Sequence, residues 1–403
     1  MSRELPDWVS GYLKYTENTE SPLSYHTWCA ISVIAGALQR RVYIQWGFET
    51  LFPNFYVVLV GASGRTRKGV AIGIAKDILA KVPTISIAPE STSGRESIVL
   101  AMKRAVTNFQ DPLDHTVKFH CALTAFSEEL SVFLGQGDTK LLANLTDWYD
   151  SKSEWTYETI GRGRDSLQGL CFNMLGATAP DWLQSMLPQE AVGGGFTSRV
   201  IFVVEDKKGK TIPEYHLTAA DVELGEKLVR DLERISQLAG QFSFNEGARK
   251  AYVEWYKEQD AMLGRGEPAV EDSRFAGYCE RRATHLRKLM AIMSVSRSSD
   301  LEITDVDFKR ALQVLKATEV KMGKTFGGLG TARYSDATQK VLDYIQAVGV
   351  TTRSTLLSKF YRDIDGATLK SVEETMEQMK IVEIKLVPDT REKKYTWLGE
   401  KNG

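Results

Sequence analysis

The chain has 403 residues, with 51 Lys and Arg against 52 Asp and Glu and a formal net charge of −1. That length allows two or three domains with sizeable cores, and the balanced charge excludes a global basic field, so any nucleic-acid contact must use local patches. No apolar run reaches the length that spans a membrane, and Met1 to Trp8 has no apolar signal core, so a cytoplasmic protein with no membrane partner is expected. Cys29, Cys121, Cys171 and Cys279 are scattered in apolar contexts without a C-x-x-C pair, which predicts buried thiols rather than disulfides or a metal site.

Asp7 to Leu38 reads as helical, with a start signal at Ser21-Pro22-Leu23-Ser24. Arg40 to Phe52 alternates through Val42, Ile44, Trp46 and Phe48, which predicts a short hairpin. Val57 to Val60 is a β-branched apolar run, expected to be a buried strand. It leads into Gly61-Ala62-Ser63-Gly64-Arg65-Thr66-Arg67-Lys68-Gly69-Val70, and helical spacing follows to Leu79. Strand, small-residue loop, lysine and helix form the layout of a phosphate-binding P-loop. Backbone N–H groups and the positive helix end hold phosphate oxygens, and the lysine adds a point charge. Two departures stand out. Lys68 comes one residue late from Gly61, and Gly69 replaces the Ser or Thr that usually ligates Mg²⁺, leaving Ser63, Thr66 or water to substitute. The plain alternative is a strand–turn–helix with a surface lysine.

Pro83 to Ala88 reads as a second strand ending at Glu90, and Arg95 to Phe109 as a helix. Lys118 to Phe126 is a third strand that ends in Ser127-Glu128-Glu129. An apolar strand ending in acids downstream of a P-loop is the Walker B arrangement. Glu128 is expected to hold the metal, and Glu129 to polarise the attacking water. Leu141 to Trp155 reads as a helix. Thr156 to Asp165, with Arg162 and Arg164, reads as a hairpin or mobile loop, either facing DNA or simply solvated. The strand Gly169 to Leu175 offers Thr178 first and Asn173 second as a polar group that senses the γ-phosphate; Thr178 is equally readable as a helix cap. Arg199 precedes the strand Val200 to Glu205, where it is either an arginine finger supplied to a neighbouring subunit or a local cap.

Four helices are expected beyond Thr218: Asp221–Leu238, Asn245–Leu263, Arg274–Ser294 and Asp305–Met322. The third carries several arginines, of which Arg282 is the candidate to reach back to a nucleotide; the alternative is a solvated basic face. Beyond a Gly-rich linker, three helices (Ser335–Val348, Thr352–Phe360, Asp365–Gln378) and a hairpin read as a winged helix-turn-helix. Lys370 would lie on its recognition helix, and Arg391, Lys393 and Lys394 on its wing. Glu373, Glu374 and Glu377 on the same helix disfavour DNA contact and leave protein contact as the competitor.

This order of motifs resembles that of AAA+ ATPases. Phe196-Thr197-Ser198-Arg199-Val200-Ile201-Phe202 looks like the arginine-finger segment of MCM-type replicative helicases. Gly61 to Gly64, Arg67-Lys68-Gly69, Ser127-Glu128-Glu129, Gly176-Ala177-Thr178 and Gly194 to Arg199 together look like a family of phage and mobile-element replicative P-loop ATPases, often found with a primase–polymerase domain. The resemblance spans Ser21 to Tyr256. It departs from the family pattern at Gly69 and at Ser127, where Asp is frequent. It implies an α/β fold: an AAA+-like parallel-sheet core (51–215) after an N-terminal segment (1–50), a helical lid (216–325), a linker (326–334) and a winged helix (335–403). It further implies ATP and Mg²⁺, single-stranded or forked DNA, self-association into a ring expected to be a hexamer, and a primase or polymerase partner. A RecA/DnaB-like core with Glu90 as base is the alternative fold. An initiator or helicase loader that binds DNA without unwinding it, and a non-hydrolysing nucleotide-binding scaffold, are the alternative functions.

Overall fold

Val57, Val58, Leu59 and Val60 are fully buried, each contributing about 1.5–3 kcal/mol by burial, and they form most of β3 (Tyr56–Val60). The computed structural model describes residues 3–135, 138–159, 163–180, 182, 183, 187, 194–326, 335–361, 364–379, 381–387 and 392–399. Before β3 come α1 (Trp8–Tyr15), α2 (Leu23–Leu38) and the hairpin β1 (Val42–Trp46) and β2 (Glu49–Leu51). After it come α3 (Lys68–Ala80), α4 (Gly94–Arg104), β4 (Val106–Gln110), β5 (Val117–Ser127), α5 (Leu130–Leu134), α6 (Thr139–Tyr149), β6 (Glu154–Thr159), β7 (Gly163–Gln168), β8 (Leu170–Thr178) and β9 (Val200–Val204). The protein is α/β, with both parallel and antiparallel pairings.

The central sheet runs β4-β5-β8-β3-β9. β5, β8, β3 and β9 are parallel, and β4 is antiparallel at the edge. The register decides what meets at the carboxyl edge: Thr178 and Val204 flank Val60, and Ser127 lies beside Gly176. The end of β3, the end of β8 and the acids after β5 therefore share one edge, where open α/β sheets bind ligands.

Three expected elements differ. Pro83 to Ala88 is not a regular strand; it keeps one bridge, Ile87 to Thr124. β4 takes the outer edge of β5 from Val117 to Cys121, so only the stretch around Thr124 remains to pair. The helix after Arg95 stops at Arg104, because Val106 to Gln110 becomes that edge strand. α6 stops at Tyr149, and Trp155 lies on β6, where its ring meets Trp148 edge-on at 5.5 Å.

α2 is apolar around almost its whole circumference and is buried accordingly. It packs on α1, α3 and β8 and on the later helices α7 (Ala219–Ser236) and α9 (Ala276–Arg297). A Cβ at Gly36 would come within 2.8 Å of Thr124 Oγ1 and 2.9 Å of Leu79 Cδ2, so only glycine lets α2 lie this close to β5 and α3. With α8 (Glu246–Gly264) and α10 (Asp305–Met322), these helices belong to the same compact unit as the sheet, which spans Met1–Thr325.

The second unit, Phe326–Gly403, holds α11 (Ser335–Val348), α12 (Arg353–Lys359) and α13 (Gly366–Met379). Its sheet is ordered β10-β12-β11, with β10 Val350–Thr352, β11 Val382–Leu386 and β12 Lys393–Trp397. Val341, Ile345, Leu369, Val372, Met376 and Tyr395 form its core.

Candidate nucleotide-binding site

The loop from β3 to α3 is held from below. Gly61 N donates to Thr178 O at 3.2 Å, and Tyr25 Oη donates to Val60 O at 2.7 Å. Ser21 Oγ donates to Arg67 O at 2.8 Å, and Arg67 pairs with Glu20. Arg67 is the N-cap residue of α3 and is left-handed, at φ 56°. Ala62, Ser63, Gly64 and Arg65 are left exposed above it, as a loop that receives an anion must be. Lys68 is half-buried, and burial lowers its pKa. Its Nζ donates to Gly61 O at 2.5 Å and Ala62 O at 3.3 Å, folding back over the loop. Thr66 faces inward: it is fully buried, and its hydroxyl meets Tyr25 Oη around Gly61, so it is not the substitute metal hydroxyl. Val70, two residues after Lys68 on α3, is exposed.

Gly69 explains its own departure. A Cβ there would stand 3.0 Å from Glu128 Oε2. The carboxylate occupies the space of the missing hydroxyl side chain, one residue from Lys68 and in the first turn of α3. Glu128 and Glu129 line a cleft of about 350 Å³ with Ile72, Lys76, Glu90 and Thr92. Lys68, Ile72 and Lys76 are spaced four apart and so share one face of α3. Glu90 shares this cleft but is tied to Lys76, which draws its pKa down. Thr178 is buried at the tip of β8, with its hydroxyl 3.3 Å from Ala179 O. Asn173 is not at the tip. It is buried in mid-strand, where Oδ1 accepts from Phe55 N at 3.0 Å, which makes it a strut between strands.

No protein-family model matches the chain. None of the curated proteins compared with it is significantly similar.

Arg199 lies at the opposite edge of the sheet. Val200 pairs with Tyr56, so the finger candidate is about 13 Å of strand away from Val60. Its Nη2 donates to Asp150 at 2.9 Å and its Nη1 to Gly195 O at 2.9 Å. Arg282 is not poised over the loop either. It is buried and bidentate to Glu319 at 2.6 and 2.7 Å, and Tyr278 Oη donates to the same carboxyl at 2.9 Å. The basic run of α9 is no solvated face, since Arg282, Arg287 and Lys288 are all buried.

Arg164 lies on β7 of the β6–β7 hairpin; Arg162 falls outside the described residues. In the second unit Lys370 and Lys394 are exposed, and Arg391 falls outside the described residues. Glu373 points inward to Arg353, Lys393 and Tyr395 Oη, so it adds no negative charge to the outer face of α13, and it ties Lys393 down. Among the described residues, no group of three His, Cys, Asp or Glu side chains could hold a metal ion by itself. No helix among them is long and apolar enough to cross a membrane.

The part of this arrangement that motif reading missed is the support. Glu20, Ser21 and Tyr25 precede the loop by some 40 residues and carry no phosphate-binding signature of their own. Their role shows only once α2 is seen packed beneath the loop.

Proposed function

We propose that this chain is an ATP-hydrolysing P-loop motor of the AAA+ type that works on DNA as an oligomer. The observation that carries the reading is the Glu128 carboxylate against Gly69, beside Lys68 and on the same sheet edge as Thr178. The exposed loop amides and Lys68 would hold the triphosphate, with Lys68 exchanging its present carbonyl contacts for phosphate oxygens. Glu128 would hold Mg²⁺, which keeps most of its shell as water and phosphate and so needs few protein ligands. Glu129 accepts the proton of the attacking water, and Thr178 orients that water. Arg199 is buried at the far edge of its own sheet and would have to leave Asp150 and Gly195 O to serve the loop of a neighbouring subunit. Arg282 is left out of the reaction as a strut between lid helices. The three helices and three-stranded sheet of the second unit support a winged helix; the face bearing Lys370 keeps the exposed acids Glu374 and Glu377 at i+4 and i+7, so protein contact remains the competitor to DNA contact there.

One observation favours a second reading. Glu90 lines the same cleft, the place of the base in a RecA-like core. Steady-state ATP hydrolysis, with and without single-stranded DNA, separates the two. Lys68→Ala, Glu129→Gln and Arg199→Ala are each expected to lower turnover on the order of 100-fold, with Glu90→Gln near wild type. Gly69→Val, which pushes Glu128 aside, is expected to lose at least about tenfold with the fold intact. Mixing Lys68→Ala with Arg199→Ala chains is expected to restore part of the rate, because a mixed ring contains intact interfaces. Loss at Glu90 with Glu129 dispensable would move the base to Glu90. Absence of turnover in every condition would leave a nucleotide-binding scaffold.

A further inference from the structure

The turn of the β1–β2 hairpin carries a phenylalanine that nothing covers. Phe48 has a relative exposure of 108%. Trp46, beside it, is wedged edge-on against Phe244 at 5.3 Å and Tyr252 at 5.0 Å, which makes it a rigid platform. Tyr252 in turn stacks on Tyr256, which is half exposed on α8. Two guanidinium groups lie against the Trp46 ring: exposed Arg249 at 5.7 Å and buried Arg287 at 5.3 Å.

Arg287 is the informative member. It is 6% exposed, and its Nη1 has no hydrogen-bond partner among the described residues. Its other contacts include three long ones of 3.4 Å each, from Nε to Ala283 O and from Nη2 to Glu49 Oε2 and Thr284 Oγ1. Glu49 is a long ion-pair partner at 3.4 Å, so a buried guanidinium this poorly satisfied is costly and leaves Nη1 for a further anion. Exposed rings interleaved with arginines are the chemistry that holds unpaired bases and their phosphates: each ring offers a face to any base, and the cations track the backbone.

We infer that the hairpin and α8 form a single-stranded nucleic-acid platform, on which a base stacks on Phe48 while Arg249 and Arg287 take phosphates. The inference deepens the DNA-motor reading by naming a contact surface, and it does not depend on turnover. The sheet edge at Lys68 takes no part in it, and Glu49 opposes it.

The test is fluorescence anisotropy of a fluorescein-labelled oligothymidine of about 20 nucleotides, using the full chain without nucleotide at two salt concentrations. Phe48→Ala is expected to weaken binding about tenfold, the loss of one stacked base. Arg249→Ala is expected to weaken binding and lower the salt slope by about one. Glu49→Gln is expected to tighten binding. Phe48 is fully exposed, so its removal does not threaten folding. Unchanged affinity in Phe48→Ala and Arg249→Ala would overturn the inference and place DNA elsewhere. So would a Phe48→Ala chain that falls to a smaller species in sedimentation velocity with its affinity intact, which would make the patch a contact between copies. Failure of the wild type to bind would also overturn it, while the ATPase reading would still stand or fall on DNA-free turnover.

Discussion

Lys288 is buried on α9, with Nζ donating to Asn54 Oδ1 at 2.8 Å and lying 3.7 Å from the centre of the Tyr149 ring. Burial draws its pKa down to about 7. An unfolded lysine titrates near about 10.4, so between these values the unfolded chain binds a proton that the fold does not. The cost of burying the charge is therefore fully present below pH 7 and relieved as pH rises towards 10. In urea unfolding, the stability of Lys288→Met relative to wild type should fall across that window by up to about 4 kcal/mol. A gap independent of pH would mean that Lys288 is not neutralised in the fold. Nothing in the run Arg281-Arg282-Ala283-Thr284-His285-Leu286-Arg287-Lys288 marks Lys288 as buried, because charge order along a helix does not reveal what packs on each face. Gly69 is the converse case. The sequence shows a missing hydroxyl, and only the approach of Glu128 shows what uses the space.

At the scale of elements, apolar spacing and runs were a reliable guide where no competing strand intervenes. α2, the four helices from Ala219 to Met322, and β3, β5 and β8 lie close to where spacing and caps put them, helped by the capping boxes at Thr218–Asp221 and Thr304–Asp307. They misled where a partner strand decided the outcome: β4 took residues with helical spacing, and Pro83 to Ala88 lost its edge to β4. Glu373 on α13 shows the same limit, since an acid in helical register is read as exposed until its partners are seen. Glu373→Gln leaves Arg353 and Lys393 without their shared anion. It is expected to destabilise the second unit by about 2–4 kcal/mol, read as an earlier melting step for Phe326–Gly403 and an unchanged one for Met1–Thr325. A shift in both steps would show that the network stabilises more than its own unit.

For the whole molecule, acid is the weak side. His26, His120 and His285 are buried, and burial lowers their pKa values to about 4, 4 and 3. Below pH 6.5 the unfolded chain takes up protons that these rings refuse, so stability falls with pH until the folded values are reached. By pH 5, where most carboxylates are still ionised, each ring contributes a loss of up to about 2 kcal/mol. Urea midpoints at pH 7 and pH 5 should show this, with a smaller drop in His26→Gln. Equal drops in both proteins would remove His26 from the account.

The sequence alone determined what depends on local order: a buried strand, a loop of small residues and a lysine, acids after a second strand, two adjoining elements of helix, and a C-terminal unit with its own apolar core. These follow from side-chain period, turn chemistry and caps, which act over a few residues. Tertiary structure alone decided which groups meet. Strand register set Thr178 beside Val60 and put Arg199 at the far edge. The packing of α2 under the loop made Glu20 and Tyr25 its supports, and the burial of α9 turned a basic stripe into buried contacts. Those outcomes rest on pairings between residues tens to hundreds of positions apart, and no local pattern encodes which distant surface will be opposite.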